Sequence, residues 1–318
     1  MSTRGFPPVT LPRSELRCFA VESRAGCGAG GGAGSTADGG DEWAVFIAWP
    51  EEPPPPAGYP VVYLVDANAT FATLVESIRM RARRASSTGV APAVVVGIGY
   101  PAHVPHDRER RAYDLTSAPP SPSMLDTETS RYAGEPPRPS KASSFGRTGG
   151  AARLRAFLAR ELIPAVERDF PVDAARRSLV GHSLAGLFVL ETLFADPRSF
   201  AAYVAISPSV WWDRERLLTG ADAVAASGVA ADVLLSVGEY EREPAPWQLG
   251  GDPAALAGLR RRRAQRRMVE TTRELARRLA AAPEGRMRVR YDVLAGEDHA
   301  SVVPVALGRA LRVVLAPR

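Results

Sequence analysis

The chain opens with two strand-like runs and then changes its grammar. Residues 15–23 and 42–49 (EWAVFIAW) are rich in strand formers, and the Gly-rich stretch 24–41 connects them. This pattern predicts an antiparallel hairpin over about residues 15–50. EEPPPPAG at 51–58 reads as a stiff surface linker. From residue 59 continuous apolar runs alternate with helical periodicity. PVVYLV (60–65) and AVVVGI (93–98) have the composition of parallel strands covered on both faces, with a helical stretch at 71–84 between them. Leu154, Phe157, Leu158, Leu162, Ile163 and Val166 share one face of a helix predicted over 153–170. Further strands are predicted at 178–181, 202–206, 232–237 and 287–293, with a long helix through 256–281 and a last one over 304–314. The alternation predicts an α/β fold whose mainly parallel central sheet is flanked by helices on both faces, behind antiparallel N-terminal strands. A Pro/Ser-rich insertion at about 117–150 lacks this periodicity; a lid-like cover over a site is the preferred reading, with passive disorder the alternative.

Composition narrows the class. A chain of 318 residues, 45% hydrophobic and 24% charged, suits one globular domain spanning 1–318. No apolar run approaches the ~20 residues that cross a bilayer, and the N-terminal residues lack the apolar core of an export signal. Cys18 and Cys27 are too few for a disulfide scaffold, so a cytoplasmic location is expected. The net charge of +5 is almost all arginine, Lys141 being the one lysine. The densest cluster, Arg260 to Arg263 with Arg266 and Arg267, lies in a helical stretch and reads as a solvated face. A nucleic-acid surface would interleave exposed aromatics or carry a reader motif. Gly26 to Gly31 forms a formal GxGxxG, but Gly, Ser and Thr follow it where a helix would have to start, which excludes a dinucleotide site. His103 and His106 have no neighbouring ligands to complete a metal site. No cofactor, metal, nucleic acid or membrane is therefore expected, and monomer and homodimer both remain open.

The chemistry concentrates at Gly181-His182-Ser183-Leu184-Ala185-Gly186. This is nearly the G-x-S-x-G elbow, a sharp strand-to-helix turn that lifts a serine hydroxyl above a sheet. The competing reading is a serine that merely caps a helix. In the elbow fold the triad runs Ser, then Asp or Glu, then His. Of the four histidines, His103 and His106 precede Ser183, and His182 is expected to be locked beside it and to point elsewhere. His299, in the polar loop Gly296-Glu297-Asp298-His299-Ala300, is left as the base. The acid is expected after the strand 232–237, where Glu239, Glu241 and Glu243 compete; Glu241 is preferred and Glu239 second, while a Ser-His dyad would also work. Two backbone N–H groups must face the developing oxyanion. Leu184 and Ala67 are the candidates, with Asn68 as an auxiliary group in the same turn.

PVVYLVDAN, RAYDLT, ELIPAVERDF, GHSLAGLF, ISPSVWWD, VGEYE and GEDHASVVP follow one another in an order that resembles the putative-esterase family of α/β-hydrolases, the branch of esterase D and the enterochelin esterases, with the IroE-type siderophore esterases most alike. The resemblance covers residues 16–314. It implies the α/β-hydrolase fold and ester hydrolysis through an acyl-enzyme on Ser183, with His299 as base. It implies a small-molecule ester substrate such as a ferric siderophore, and makes Arg111 similar to a substrate-contacting arginine. Trp211 and Trp212 would offer flat faces to an aromatic ligand. The chain departs from the family where Ala67 and Ala185 replace the usual glycines, and the added methyls are expected to narrow the acyl pocket. A carboxylesterase or acyltransferase with another substrate, and a non-catalytic ligand-binding homologue, are the alternatives. Imidazole base catalysis requires a hydrolytic rate that rises with pH through the histidine range; a rate flat between about pH 5 and 9 would exclude it.

Overall fold

The computed structural model describes residues 11–20, 42–101, 104–121, 145–283 and 286–317. Eight strands form one sheet in the order β1-β2-β4-β3-β5-β6-β7-β8. They are β1 (Ser14–Ala20), β2 (Glu42–Ala48), β3 (Tyr59–Val65), β4 (Val94–Gly99), β5 (Val172–His182), β6 (Ala202–Ile206), β7 (Ala231–Gly238) and β8 (Met287–Leu294). β1 and β2 pair antiparallel from Ser14 opposite Ala48 to Ala20 opposite Glu42, and β2 joins β4 antiparallel. All other pairings are parallel.

Side chains alternate across the pleat of β3 and fill two separate cores. Val61, Tyr63 and Val65 enter the larger one, with Trp43, Phe157, Phe188, Trp212, Leu217 and Leu275; Val62 and Leu64 enter the other, with Leu74, Val204, Leu307 and Leu311. One face is thus covered by α1 (Phe71–Ala82) and by Val302–Val314, the last helix. The other is covered by residues 151–169, Leu184–Ala195, Arg214–Ala226 and Met268–Leu279. Both faces being dry explains why β3, β4 and β6 read as unbroken apolar runs.

The structure departs from the predicted elements in several places, among them a strand β5 that starts at Val172, six residues before the predicted 178. The helix expected through 256–281 is two, Pro253–Arg266 and Met268–Leu279, because Arg267 turns left-handed with φ 46°. No residue of Pro253–Arg266 is fully buried, although Arg266 is half-buried, whereas the following helix sinks Met268, Val269, Leu275 and Leu279 into the core. Each segment needs a different orientation, and the break supplies it. Two helices missed by periodicity, Arg108–Asp114 and Arg214–Ala226, carry a local start signal instead: Asp107 accepts from the Arg110 N–H and Asp213 from the Arg216 N–H. The 24–41 connection and the centre of the 117–150 insertion lie outside the described residues.

Both stems of that insertion meet on Trp212. Its indole N–H donates to the Ala118 carbonyl at 2.8 Å, its own carbonyl accepts from the Ser121 N–H at 2.8 Å, and Phe145 packs edge-on against the ring at 4.6 Å. Trp212 is fully buried, so it serves as an anchor and offers no face to a ligand, contrary to the expectation. Trp212→Ala should cost about 3–5 kcal/mol in urea unfolding; a loss under about 1 kcal/mol would show that the stems do not depend on the indole.

Candidate active site

The elbow forms where β5 runs straight into the helix Leu184–Ala195. Ser183 sits between them at φ 60° and ψ −117°, a conformation that a non-glycine residue keeps only under constraint from its surroundings. Those constraints are visible. Its N–H donates to Ile206 at 2.9 Å, and its carbonyl accepts from Leu187 at 3.0 Å and Ser209 at 3.1 Å. Close backbone packing fixes the neighbours: a Cβ on Gly181 would lie 2.3 Å from the Ala185 carbonyl oxygen, and one on Gly186 would press 3.0 Å from Pro208 Cα. The Ser183 side chain makes no cap hydrogen bond. The simple N-cap reading therefore does not describe it.

Ser183 Oγ instead lies 3.1 Å from His299 Nε2, and His299 Nδ1 lies 2.7 Å from Glu241 Oε2. Three segments 58 to 116 residues apart in sequence thus meet in one line. His299 remains 45% exposed on its side chain, whereas Glu241 is buried. Burial alone would push the Glu241 carboxyl up. Bonds from His299, the Ser207 hydroxyl and the Gly238 N–H outweigh that and hold it below the ordinary carboxylate value. Glu241 is drawn inward because Glu239–Glu241 forms a 3-10 turn directly after β7, with Glu241 Oε1 accepting from Gly238 N at 2.8 Å. Glu239 has another partner: its carboxylate accepts from Gly296 N at 2.8 Å and braces the loop that carries His299.

Leu184 and Ala67 each open a helical turn at the carboxyl ends of the adjacent parallel strands β5 and β3. First-turn N–H groups have no acceptor within their own helix and are free to serve an anion. Asp66 takes φ 62° to make the turn before Ala67. The methyls of Ala67 and Ala185 face inward: both residues are fully buried, and Cβ positions built on Gly97 and Gly181 fall against them at 2.8 and 3.0 Å. They fill core space left by Gly97 on β4 and by Gly181 on β5, which corrects the expectation of a narrowed acyl pocket.

Three residues expected to touch substrate are engaged elsewhere. Arg111 brackets Asp66 Oδ2 from Nε at 3.0 Å and Nη2 at 2.7 Å, with His106 Nδ1 at 3.5 Å from the same atom. Burial favours a neutral Asp66, but His106 and Arg111 together keep its pKa below the ordinary value. The Asn68 amide locks onto the backbone of Tyr100, donating to its carbonyl and accepting from its N–H, both at 2.9 Å. It ties the Ala67 turn to the end of β4. Trp211 is 5% exposed and has the Arg266 guanidinium 4.3 Å over its ring. Arg266 is thus not part of a solvated face, and burial lowers its pKa to about 10 against the opposing pull of Glu241.

Sequence reasoning missed Ser207 and the partner of His182. Ser207, at φ 43° after β6, gives its hydroxyl to Glu241; the signal was the ISPS run that ends the strand beside the elbow. His182 is held beside Ser183 and directed elsewhere, as expected: its Nε2–H donates to the backbone carbonyl of His299 at 2.8 Å. Among the described residues no three His, Cys, Asp or Glu side chains gather to hold a metal, and His103 lies outside them.

A mainly parallel sheet with a serine at a strand-to-helix elbow and a histidine brought to it from a later loop defines an α/β-hydrolase. The chain belongs to the family described as "Putative esterase", whose model matches residues 36–274. It is 37% identical over 277 residues to the ferri-bacillibactin esterase BesA of Bacillus subtilis, covering 86% of this chain and 84% of that one. It is 38% identical over 257 residues to a siderophore enterobactin esterase of Emericella nidulans, covering 77% and 78%. The crystal structure of the BES protein from Bacillus cereus superposes with a TM-score of 0.76 at 28% identity, over 99% of both chains. No helix among the described residues is long and apolar enough to cross a membrane.

The Asp66–Arg111 pair supplies a stability test. Asp66 is depressed in the folded state, so the unfolded chain binds its proton more readily, and the stability it contributes is present above about pH 4 and lost as pH falls further. Arg111→Leu should remove about 3 kcal/mol at pH 7 by leaving a buried carboxylate without its guanidinium. The gap to wild type should shrink in urea melts at about pH 3.5, below the unfolded-state value of about 3.9, where the unfolded chain increasingly binds the Asp66 proton and the wild-type advantage declines. A loss at pH 7 under about 1 kcal/mol would reduce the pair to surface rank.

Proposed function

We propose that this esterase opens the ester bonds of a siderophore through an acyl-enzyme, with Ser183 as nucleophile, His299 as base and Glu241 as the carboxylate that orients it. The observation that carries the reading is the continuous Ser183–His299–Glu241 line, with contacts of 3.1 and 2.7 Å. In this scheme His299 Nε2 takes the hydroxyl proton as Ser183 Oγ bonds to the ester carbonyl carbon. Buried Glu241 balances the imidazolium from the Nδ1 side. The N–H groups of Leu184 and Ala67 receive the oxyanion. Collapse of the tetrahedral intermediate releases an alcohol that takes the proton from His299. Water then repeats the sequence on the acyl-enzyme and frees a carboxylate.

The siderophore assignment draws on two relatives whose names state siderophore esters as substrates and which align over more than three quarters of this chain. A trilactone fits the chemistry, since each of its bonds is a carboxylic ester of the kind this relay can open. The exposed thiol of Cys18 supports a reducing compartment, the cytoplasm, as the place of action.

Turnover of ferric and iron-free trilactone chelates should be compared with that of p-nitrophenyl esters. Wild type should hydrolyse the chelates with the higher kcat/KM, and Ser183→Ala or His299→Ala should each lose about 10⁴–10⁶-fold in kcat. A fluorophosphonate should label wild type and not Ser183→Ala. Preference for the simple ester would point to a general carboxylesterase. Absence of both labelling and turnover would leave a binding protein.

A further inference from the structure

We infer that His182 is a positioning residue for the hydrolysis: its imidazole N–H holds the main chain of His299 at the distance that Ser183 requires. The inference rests on the esterase reading above, and concerns a residue that takes no part in the proton relay itself.

His182 is the last residue of β5 and Ser183 follows it directly. Its Nε2 lies 2.8 Å from the carbonyl oxygen of His299. A carbonyl can only accept, so the His182 ring must donate and is held as the Nε2–H tautomer. The two imidazoles sit 4.6 Å apart, centre to centre, and inclined at 44°. One peptide therefore supplies both the nucleophile and the support for its base.

The loop that carries His299 needs such support. It starts at Gly296 with φ 75°, and its far side is tied to the turn after β7, where Glu239 accepts from Gly296 N and Tyr240 N donates to Glu297 at 2.9 Å. Within the loop, Asp298 accepts from the N–H groups of Ala300 at 2.8 Å and Ser301 at 2.9 Å. Those bonds set the loop against β7 but do not reach the elbow. Glu241 orients the His299 ring through Nδ1, yet a ring that is almost half exposed can still pivot with its backbone. The His182 bond joins that backbone to the elbow, so the Ser183–His299 gap is set by two atoms of fixed structure.

A neutral support is also needed once His299 carries a proton. Burial, and then the charge on His299, push His182 down to about 3, with Arg111 adding to the effect and Glu241 opposing it. His182 thus stays uncharged throughout the working range and does not compete for the Ser183 proton.

Three variants separate the donor from its bulk. Gln keeps an N–H within reach, Met keeps the length without the donor, and Ala removes both. Misplacing the base should lower kcat by about 10²-fold in His182→Met and His182→Ala, while His182→Gln stays within about threefold of wild type and KM changes little in any of them. Equal rates for Gln and Met, or wild-type rates for Met, would overturn the inference. A second measurement does not depend on whether the variants fold. In ¹⁵N-histidine-labelled wild type, one ring should keep the neutral Nε2–H pattern from about pH 5 to 9, assigned to His182 by its coupling across the hydrogen bond to the His299 carbonyl. Titration of that ring in this window, or an Nδ1–H tautomer, would refute the assignment. Fluorophosphonate labelling of wild type keeps the two readings apart: an unlabelled wild type sinks the esterase, whereas a labelled wild type with an unimpaired Met variant sinks only the role of His182.

Discussion

The site depends on one strained residue. Ser183 at φ 60° forces β5 to end and a helix to begin within a single peptide, and that abrupt reversal leaves the hydroxyl above the sheet. The strain persists because neighbours on three sides over-determine it: Ile206 from the next strand, Ser209 from the loop beyond it, and Leu187 from the helix. Gly181 is needed for the same reason, since the turn brings its α-carbon against the Ala185 backbone. A sheet buried on both faces makes this affordable, because the core clamps the two elements whose ends meet at the turn.

Charge is handled by pairing in place. Glu241 and Asp66 are both buried carboxylates beside the elbow, and each stays ionised because its bonds outweigh the cost of burial. Their tasks differ. Glu241 has one oxygen on Ser207 and Gly238 and gives the other to His299. Asp66 gives one oxygen to Arg111 and His106, which steadies the left-handed turn before Ala67. Asn68 secures the same turn from the opposite side through Tyr100. The loops around Ser183 are thus fixed by side chains that chemistry alone would have nominated as ligand contacts.

Much of this was legible before any coordinates. Strands β3, β4 and β6 announced themselves as apolar runs because both faces are dry, and the order Ser183 then His299 followed from the few histidines present. Helices Arg108–Asp114 and Arg214–Ala226 were not, because the first has only seven residues and the second carries weak apolar periodicity, and the start signal of each is a single capping carboxylate. The break at Arg267 was also hidden, since nothing local marks an arginine for left-handed geometry; it arises from two helices needing different faces toward the core.

The sequence by itself determined the sheet, the elbow and the pair of residues that meet there, because periodicity and chain order are properties of one dimension. It left three glutamates in competition and set Arg111, Asn68 and the two tryptophans toward a ligand. Only the tertiary structure decided that Glu241 faces His299, that Glu239 braces the loop, that Trp212 anchors the insertion and that His182 grips the backbone of His299. Direction is the physical reason. A hydrogen bond is set to within tenths of an ångström by where two segments lie, and residue spacing along the chain does not contain that distance.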